Sequence, residues 1–257
     1  MSQPLTQILP PNWTAPSDLL AGKTLLVTGA GDGIGATAAK SFAAHGATVI
    51  LLGRTVAKLE SVYDDIMAAG HPEPFIYPMD LMSQDLDDYE KLATAITNDI
   101  GQLDGVLLNA AVLGQRTPLA NTHPSAWLDC LQINLNANFF LVKTLEELIR
   151  GSSHGRILFT SSSVGRTGRA YWGAYAVSKF GVEGLMQVLA DELENTSTTR
   201  VNSINPGATR TDMRATAYPA ELPQTVKPAE ALMPTYLYLM SSLSQHLHGQ
   251  TLDCPTS

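Results

Sequence analysis

The chain has 257 residues, a length that suits one large α/β domain. Hydrophobic residues make up 44% and charged residues 16%, as in a globular protein, and a net charge of −8 argues against a nucleic-acid partner. The sequence has no apolar stretch of membrane-spanning length, no signal-like segment and only two cysteines, Cys130 and Cys254, so we expect a cytoplasmic protein that has no membrane contact.

The first 21 residues are predicted to form an arm before the main domain. Four prolines fall within them, Pro4, Pro10, Pro11 and Pro16, and this density favours irregular structure. The arm could pack on the body of the chain or on a partner subunit.

A strand, a glycine turn and a helix are predicted in succession after the arm. The apolar run 23–28 leads into Gly29, Gly33 and Gly35, and an alanine-rich helical pattern covers 36–45. Such a turn lets backbone N–H groups approach a pyrophosphate at the positive end of the helix. The spacing Gly-x-x-x-Gly-x-Gly differs from the commonest dinucleotide motif, so a glycine turn that binds nothing is the alternative.

The end of the second strand, 47–52, indicates which dinucleotide would bind. A carboxylate there would bind the 2′-hydroxyl of NAD, whereas Gly53 and Arg54 offer a guanidinium suited to the 2′-phosphate of NADP. Asp32 in the glycine turn is an anion close to the same place. NADP is therefore favoured, and NAD stays possible.

The remainder of the chain alternates helical and β-prone segments. Helices are predicted at 56–69, 86–100 and 123–149, and strands at 74–77, 105–108, 155–160 and 200–205. This alternation predicts a doubly wound parallel sheet of the Rossmann type, with helices on both faces and a single α/β domain over 22–257.

Tyr175 and Lys179 stand four residues apart, so on a helix they share one face. A nearby ammonium favours the phenolate, so Lys179 is expected to lower the tyrosine pKa toward neutrality and make it a general acid/base. Taken alone, the pair also fits an ordinary surface helix.

The chain resembles the short-chain dehydrogenase/reductase family when its motifs are read in order: the glycine turn, Asn109-Ala-Ala, Ser162, Tyr175 and Lys179. Ser162 precedes Tyr175 by thirteen residues and is followed by Gly165, which is the family's spacing. The likeness covers about 23–253, and the stretch 159–175 is similar to the YciK-type bacterial oxidoreductases. Ala111 departs from the pattern, which usually has glycine there.

The resemblance implies roles for particular residues. The catalytic set would be Asn134, Ser162, Tyr175 and Lys179. Asp80 would touch adenine, Asn109 would steady the central sheet, and the segment from Pro206 would hold the nicotinamide amide. The implied cofactor-binding set is Thr28, Gly29, Asp32, Gly33, Ile34, Gly35, Arg54, Asp80, Leu81, Asn109, Ala110, Tyr175, Lys179, Pro206, Gly207, Thr209 and Thr211.

The expected reaction is hydride transfer between nicotinamide and a carbonyl or secondary alcohol of a small or medium substrate. Tyr175 would move the proton, Ser162 would bind the reacting oxygen, and Asn134 would either hold a relay water or serve only to kink its helix. Two alternatives are a catalytically silent dinucleotide-binding regulator and an epimerase or dehydratase that retains its nicotinamide. The scattered histidines predict no metal.

The substrate end and the subunit contacts are less defined by the sequence. Residues 208–228 are predicted to form a modest lid. Arg166 or Arg169 could meet an anionic substrate, although a solvated or intersubunit arginine is the alternative, and Trp172 could line the pocket or simply pack.

The helices around Asn134 and Tyr175 are apolar on more than one face, which predicts a homodimer or homotetramer.

Overall fold

A computed structural model describes residues 3–4, 9 and 13–255. In this part of the chain eight strands form one sheet in the order β1-β8-β7-β6-β5-β2-β3-β4, and every neighbouring pair is parallel. The strands are β1 Gln3–Pro4, β2 Thr24–Thr28, β3 Thr48–Gly53, β4 Phe75–Pro78, β5 Gly105–Leu108, β6 Arg156–Thr160, β7 Arg200–Asn205 and β8 Gln250–Asp253.

Helices cover both faces of this sheet. They are α1 Gly33–Ala44, α2 Val56–Ala68, α3 Leu86–Asp99, α4 Pro124–Leu131, α5 Ala137–Arg150, α6 Gly173–Leu193, α7 Asp212–Ala217 and α8 Met233–Met240. One buried core joins α1, α2 and α8 to the sheet, and a second joins α3, α5 and α6 to the other side. The predicted doubly wound Rossmann-type fold is confirmed.

The strand order reverses direction between β2 and β5, which are neighbours in the sheet. Loops from strands on the two sides of such a point diverge and leave a crevice at the carboxyl ends of the strands. Four loops begin at this edge, each directly after a strand, at Gly29, Asn109, Ser161 and Pro206. The fold therefore brings motifs from distant parts of the sequence to one place.

Several elements differ from the sequence-based expectations. The long helix predicted over 123–149 is interrupted by a π-helical turn, Gln132–Asn136, between α4 and α5. Neither β8 nor α8 was predicted. In β8 only Leu252 is buried, and in α8 every residue except Pro234 is buried, so neither segment shows the alternation of exposed and buried side chains on which a prediction depends.

Parts of the N-terminal segment pack on the chain's own body. Gln3–Pro4 add a parallel strand beside β8, and Leu9 packs against the buried core that joins α1, α2 and α8 to the sheet. The Trp13 ring meets Tyr238 edge-on, with centroids 5.6 Å apart. The rest of the predicted arm, at 1–2, 5–8 and 10–12, lies outside the described residues.

Within the described ranges, no helix has the length and hydropathy required to cross a membrane.

Candidate active site

A cavity of about 700 Å³ opens at the carboxyl edge of the sheet. One end is formed by the glycine turn and Arg54, and the other by the segment around Tyr175 and α7. Most of the residues assigned to the site in the sequence line it: Gly29, Asp32, Gly33, Ile34, Arg54, Asp80, Leu81, Asn109, Ala110, Ser162, Tyr175, Lys179, Pro206, Gly207, Thr209 and Thr211. Thr28, Gly35 and Asn134 do not.

The glycine turn is shaped by positions that a larger side chain would disturb. Gly29 and Gly33 have φ of +69° and +52°, in the left-handed region that favours glycine. A Cβ on Gly35 would lie 2.1 Å from the Gly29 carbonyl oxygen. Gly35 thus lets α1 start tightly against the turn, although it does not itself face the cavity.

Thr28 and Asn109 join the ends of neighbouring strands beneath the cavity. The Thr28 hydroxyl accepts hydrogen bonds from the backbone N–H groups of Asn109 and Ala110, both at 2.9 Å. The Asn109 amide nitrogen donates to the Thr28 carbonyl at 3.2 Å. These bonds fix the two loops that begin at β2 and β5.

Asp32, at the end of the cavity formed by the glycine turn, is held by Lys58, a residue that the sequence analysis missed. Its carboxylate caps α1 through the Gly33 N–H at 2.7 Å and forms an ion pair with Lys58. The Lys58 contact lowers the pKa of Asp32, so this carboxylate is ionised. Its negative charge is balanced by the Lys58 ammonium. Lys58 lies in the first turn of α2, and no local motif in the sequence joins it to Asp32. Lys58 therefore reduces the repulsion that Asp32 would exert on a phosphate beside Arg54.

Ser162, Tyr175 and Lys179 come together at the other end. Ser162 immediately precedes a short 3₁₀ turn, Ser163–Gly165, and its hydroxyl interacts with the Tyr175 phenol. The Lys179 ammonium lies 5.7 Å from the centre of the Tyr175 ring and donates to the Thr160 carbonyl at 2.7 Å. A Cβ on Gly165 would stand 2.9 Å from Lys179 backbone atoms, which explains the glycine three residues after the serine.

The electrostatics of this group differ from the sequence-based expectation. Burial raises the pKa of Tyr175 to about 12, and the Ser162 hydrogen bond only partly opposes it. Burial also lowers the pKa of Lys179 to about 8. The expected lowering of the tyrosine pKa is therefore wrong for this structure, because the loss of hydration on burial raises the pKa by more than the Ser162 hydrogen bond lowers it.

Asn134 is fully buried behind the cavity wall. Its side-chain oxygen accepts from the Val112 N–H at 2.8 Å, and its nitrogen donates to the Val112 carbonyl at 2.9 Å and to the Ser178 hydroxyl at 3.1 Å. It sits within the π-helical turn and fixes the loop after β5. These contacts account for a structural role, and the relay role stays a prediction.

The loop after β7 carries the residues assigned to the nicotinamide side. Gly207 has a φ of +71°, and its N–H donates to the Asn205 side chain at 3.1 Å. Thr211 caps α7 by accepting from the Arg214 N–H at 3.2 Å, and its methyl group lies beside Gly33. The loop therefore closes one side of the crevice against the glycine turn.

Arg166 does not reach the cavity as a substrate contact. Its guanidinium holds both carboxylate oxygens of Asp253, at 2.8 and 2.9 Å, and donates to Glu183 at 3.4 Å. It ties the turn after Ser162 to β8 and α6 within one chain. Arg166 does not line the cavity, so its interpretation as a substrate contact is wrong, and an additional role at a subunit contact stays a prediction. Arg169 and Trp172 do line the cavity.

Comparisons with known proteins agree with this geometry. Residues 23–222 match the short chain dehydrogenase family. The chain is 48% identical to the oxidoreductase YciK of Escherichia coli K12 over 92% of its length and 93% of the relative's. A short chain dehydrogenase from Shigella flexneri solved with NADP has a TM-score of 0.90 at 48% identity, covering 93% of this chain and 99% of that one. One from Escherichia coli CFT073 solved with NADPH has a TM-score of 0.90 at 48% identity, covering 93% and 98%.

The chain belongs to the short-chain dehydrogenase/reductase family. Its reaction class is that of an oxidoreductase acting on CH–OH and C=O groups, and the resemblance to YciK-type proteins seen in the sequence is confirmed.

Proposed function

We propose that the protein is an NADP(H)-dependent oxidoreductase that transfers a hydride between nicotinamide and a carbonyl or secondary alcohol of a small or medium substrate. One observation carries the proposal: Ser162, Tyr175 and Lys179 line one end of the cavity whose other end holds the glycine turn and Arg54. The two related structures with NADP and NADPH support the choice of dinucleotide.

The residues at the cavity fit a dinucleotide phosphate. The turn at Gly29 and Gly33 adopts positive φ, and α1 directs its N-terminus toward the cavity, an arrangement suited to a pyrophosphate. Arg54 and Lys58 would hold the 2′-phosphate, with Asp80 at the adenine. Gly207, Thr209 and Thr211 would hold the nicotinamide amide, and Lys179 its ribose.

The protein's own groups suit proton delivery during carbonyl reduction. NADPH, when bound, supplies the hydride. Because the pKa of Tyr175 is raised to about 12, its phenol is protonated at neutral pH and can donate to the carbonyl oxygen. Ser162 would hydrogen-bond the same oxygen, and the Lys179 charge would oppose the negative charge left on the phenolate.

The proposal is tested first by turnover. NADPH oxidation should be followed with a panel of small ketones and aldehydes, with Tyr175 variants as described in the Discussion. NADPH binding without turnover of any carbonyl or alcohol would favour the silent dinucleotide-binding regulator. Return of unchanged cofactor with an altered substrate would favour the epimerase or dehydratase.

NADPH should bind at least about tenfold more tightly than NADH, and Arg54→Gln should remove most of that preference. A charge-assisted hydrogen bond to phosphate contributes about 1.5–3 kcal/mol, or roughly 10- to 100-fold in affinity. Titration of both cofactors at equal pH and salt measures the difference. NADH serves as the internal control, because its affinity should not change. Equal binding of the two cofactors to the wild-type protein would contradict the NADP assignment.

We also propose that the protein is a homodimer or homotetramer that uses one face of α6. Val177, Phe180 and Val188 are exposed on this helix at spacings of three and eight residues. Gly184 lies between them on the same stripe, and a Cβ there would meet no atom within 4 Å. An apolar stripe with a small residue at its centre allows close approach of a second helix.

Phe180→Glu should shift the protein to a smaller species in size-exclusion chromatography with light scattering. The added carboxylate would be buried without a partner in the subunit contact. Phe75→Glu is the matched control. Phe75 is also an exposed phenylalanine, but it lies on the edge strand β4 and not on α6. An unchanged mass for Phe180→Glu would exclude this face.

The cytoplasm is the compartment that we propose. Cys130 and Cys254 are both buried and unpaired in the described structure, as expected where thiols are kept reduced. Fractionation of cells that produce the natural protein tests this.

A further inference from the structure

Aromatic rings line the substrate end of the cavity in a row that begins at Tyr175. The centroids of Tyr175 and Trp172 are 5.6 Å apart, and those of Trp172 and Tyr218 are 6.1 Å apart. Tyr218 follows the end of α7, so the row spans from the catalytic helix to the segment predicted to be the lid. A substrate whose carbonyl lies at Tyr175 would lay its apolar part along these rings.

Three arginines surround the far end of the row. Arg169 donates to the Tyr218 hydroxyl at 2.9 Å. The Arg116 guanidinium lies 4.7 Å from the centre of the Trp172 ring and 5.2 Å from that of Tyr218, and that of Arg214 lies 3.8 Å from Tyr218. Positive charge is thus concentrated around one ring.

These charges are only partly neutralised. Arg214 pairs with Glu221 through two contacts of 2.6 Å. Among the described residues, neither Arg116 nor Arg169 forms an ion pair; Arg116 donates only to the Ala217 carbonyl. Asp212 also lines the cavity, but its charge acts on Lys58 at the adenosine end. The substrate end therefore carries excess positive charge.

Two further features of the segment beside the aromatic row indicate a ligand site. Trp172 is 8% exposed, and its buried indole N–H has no hydrogen-bond partner within the protein. Native proteins rarely leave such a donor unpaired. Tyr171 has a φ of +71°, the one non-glycine in the left-handed region among the described residues, in the turn that joins Arg169 to Trp172. Strained backbone of this kind is concentrated at ligand sites.

We propose that the substrate is anionic: a ketone or alcohol whose reacting carbon lies at Tyr175, whose apolar spacer follows the aromatic row, and whose carboxylate or phosphate is bound by Arg169. Arg116 reinforces the charge from behind Trp172. A guanidinium offers five N–H donors, and Arg169 uses one on Tyr218, so a planar pair remains for an anion. This inference rests on the proposed oxidoreductase function of the same cavity.

The test compares methyl-ketone acids of increasing chain length with their methyl esters and with phosphate-bearing ketones, in NADPH-dependent reduction. We expect the wild-type protein to prefer one acid over its ester by at least about tenfold in kcat/KM. Arg169→Gln should lower kcat/KM for that acid by roughly 10- to 100-fold, chiefly through KM, because a charge-assisted contact is lost. Esters should be unaffected, and Arg169→Lys should fall between.

Arg150→Gln is the matched control, since Arg150 is an exposed arginine at the end of α5, where it pairs with Glu146. Equal losses for acids and esters in Arg169→Gln, or a wild-type preference for esters, would overturn the anionic substrate and leave the oxidoreductase standing. Preference for phosphate over carboxylate would identify the anionic group. If nothing is turned over, thermal stabilisation of the NADP complex by the acids, absent in Arg169→Gln, still supports the site, and its absence in the wild-type protein refutes it.

Discussion

Replacing Tyr175 with phenylalanine should lower kcat for carbonyl reduction by about 10²- to 10⁴-fold, the range that a positioned general acid contributes. In the proposed mechanism the phenol is the proton donor, and its pKa, raised by burial to about 12, keeps it protonated at neutral pH. NADPH affinity should stay within a factor of about two, because the ring and its packing on Trp172 are retained. Steady-state kinetics and cofactor titration on the same preparation measure both effects.

Tyr171→Phe is the control for this experiment. Tyr171 shapes the turn before α6 through its backbone, which the substitution keeps, and its exposed side chain does not line the cavity, so its hydroxyl should be dispensable. Ser162→Ala should cause a smaller loss than Tyr175→Phe, since it removes a hydrogen bond and no proton. Wild-type turnover in Tyr175→Phe would remove the tyrosine from the proposed mechanism.

Much of the fold could be predicted because strands and helices alternate in the sequence with clear turns between them. The strand ends at Thr28, Leu108 and Asn205 were placed correctly, and in a parallel sheet all such ends meet at one edge. The elements that were not predicted have physical causes. Helix α8 is buried almost all round, so its sequence lacks the pattern of an amphipathic helix. The π-helical turn near Asn134 is set by hydrogen bonds between the Asn134 side chain and the Val112 backbone.

The site could be predicted where the motif is local and could not where contacts join distant segments. Nothing near Asp32 in the sequence shows that Lys58 neutralises it, and nothing near Trp172 shows that Arg116 stacks on its ring. Likewise Arg166 was assigned no structural partner, because Asp253 lies far along the chain. The pKa of Tyr175 depends on burial, which spacing alone does not reveal.

Replacing Lys179 with methionine should abolish most activity and at the same time stabilise the cofactor-free protein at neutral pH. Burial lowers the pKa of this ammonium from 10.5 to about 8, which corresponds to a cost of roughly 3 kcal/mol below pH 8. Loss of the bond to Thr160 offsets part of the gain. Denaturant unfolding gives the free energy, and NADPH turnover gives the activity.

The pH dependence of this stabilisation separates it from a general packing effect. Because the folded pKa of Lys179 lies below the unfolded one, the unfolded chain binds more protons between about pH 8 and 10.5, so wild-type stability should gain from this residue as pH rises through that window. Lys179→Met removes the gain, and its advantage over the wild type should therefore be full below pH 8 and shrink as pH approaches 10.5. Lys143→Met, at an exposed lysine of α5, should show no such trend. A pH-independent advantage of Lys179→Met would indicate a packing effect and contradict the lowered pKa of Lys179. A Lys179→Met protein less stable than the wild type at pH 7 would mean that Lys179 contributes more to folding than its burial costs.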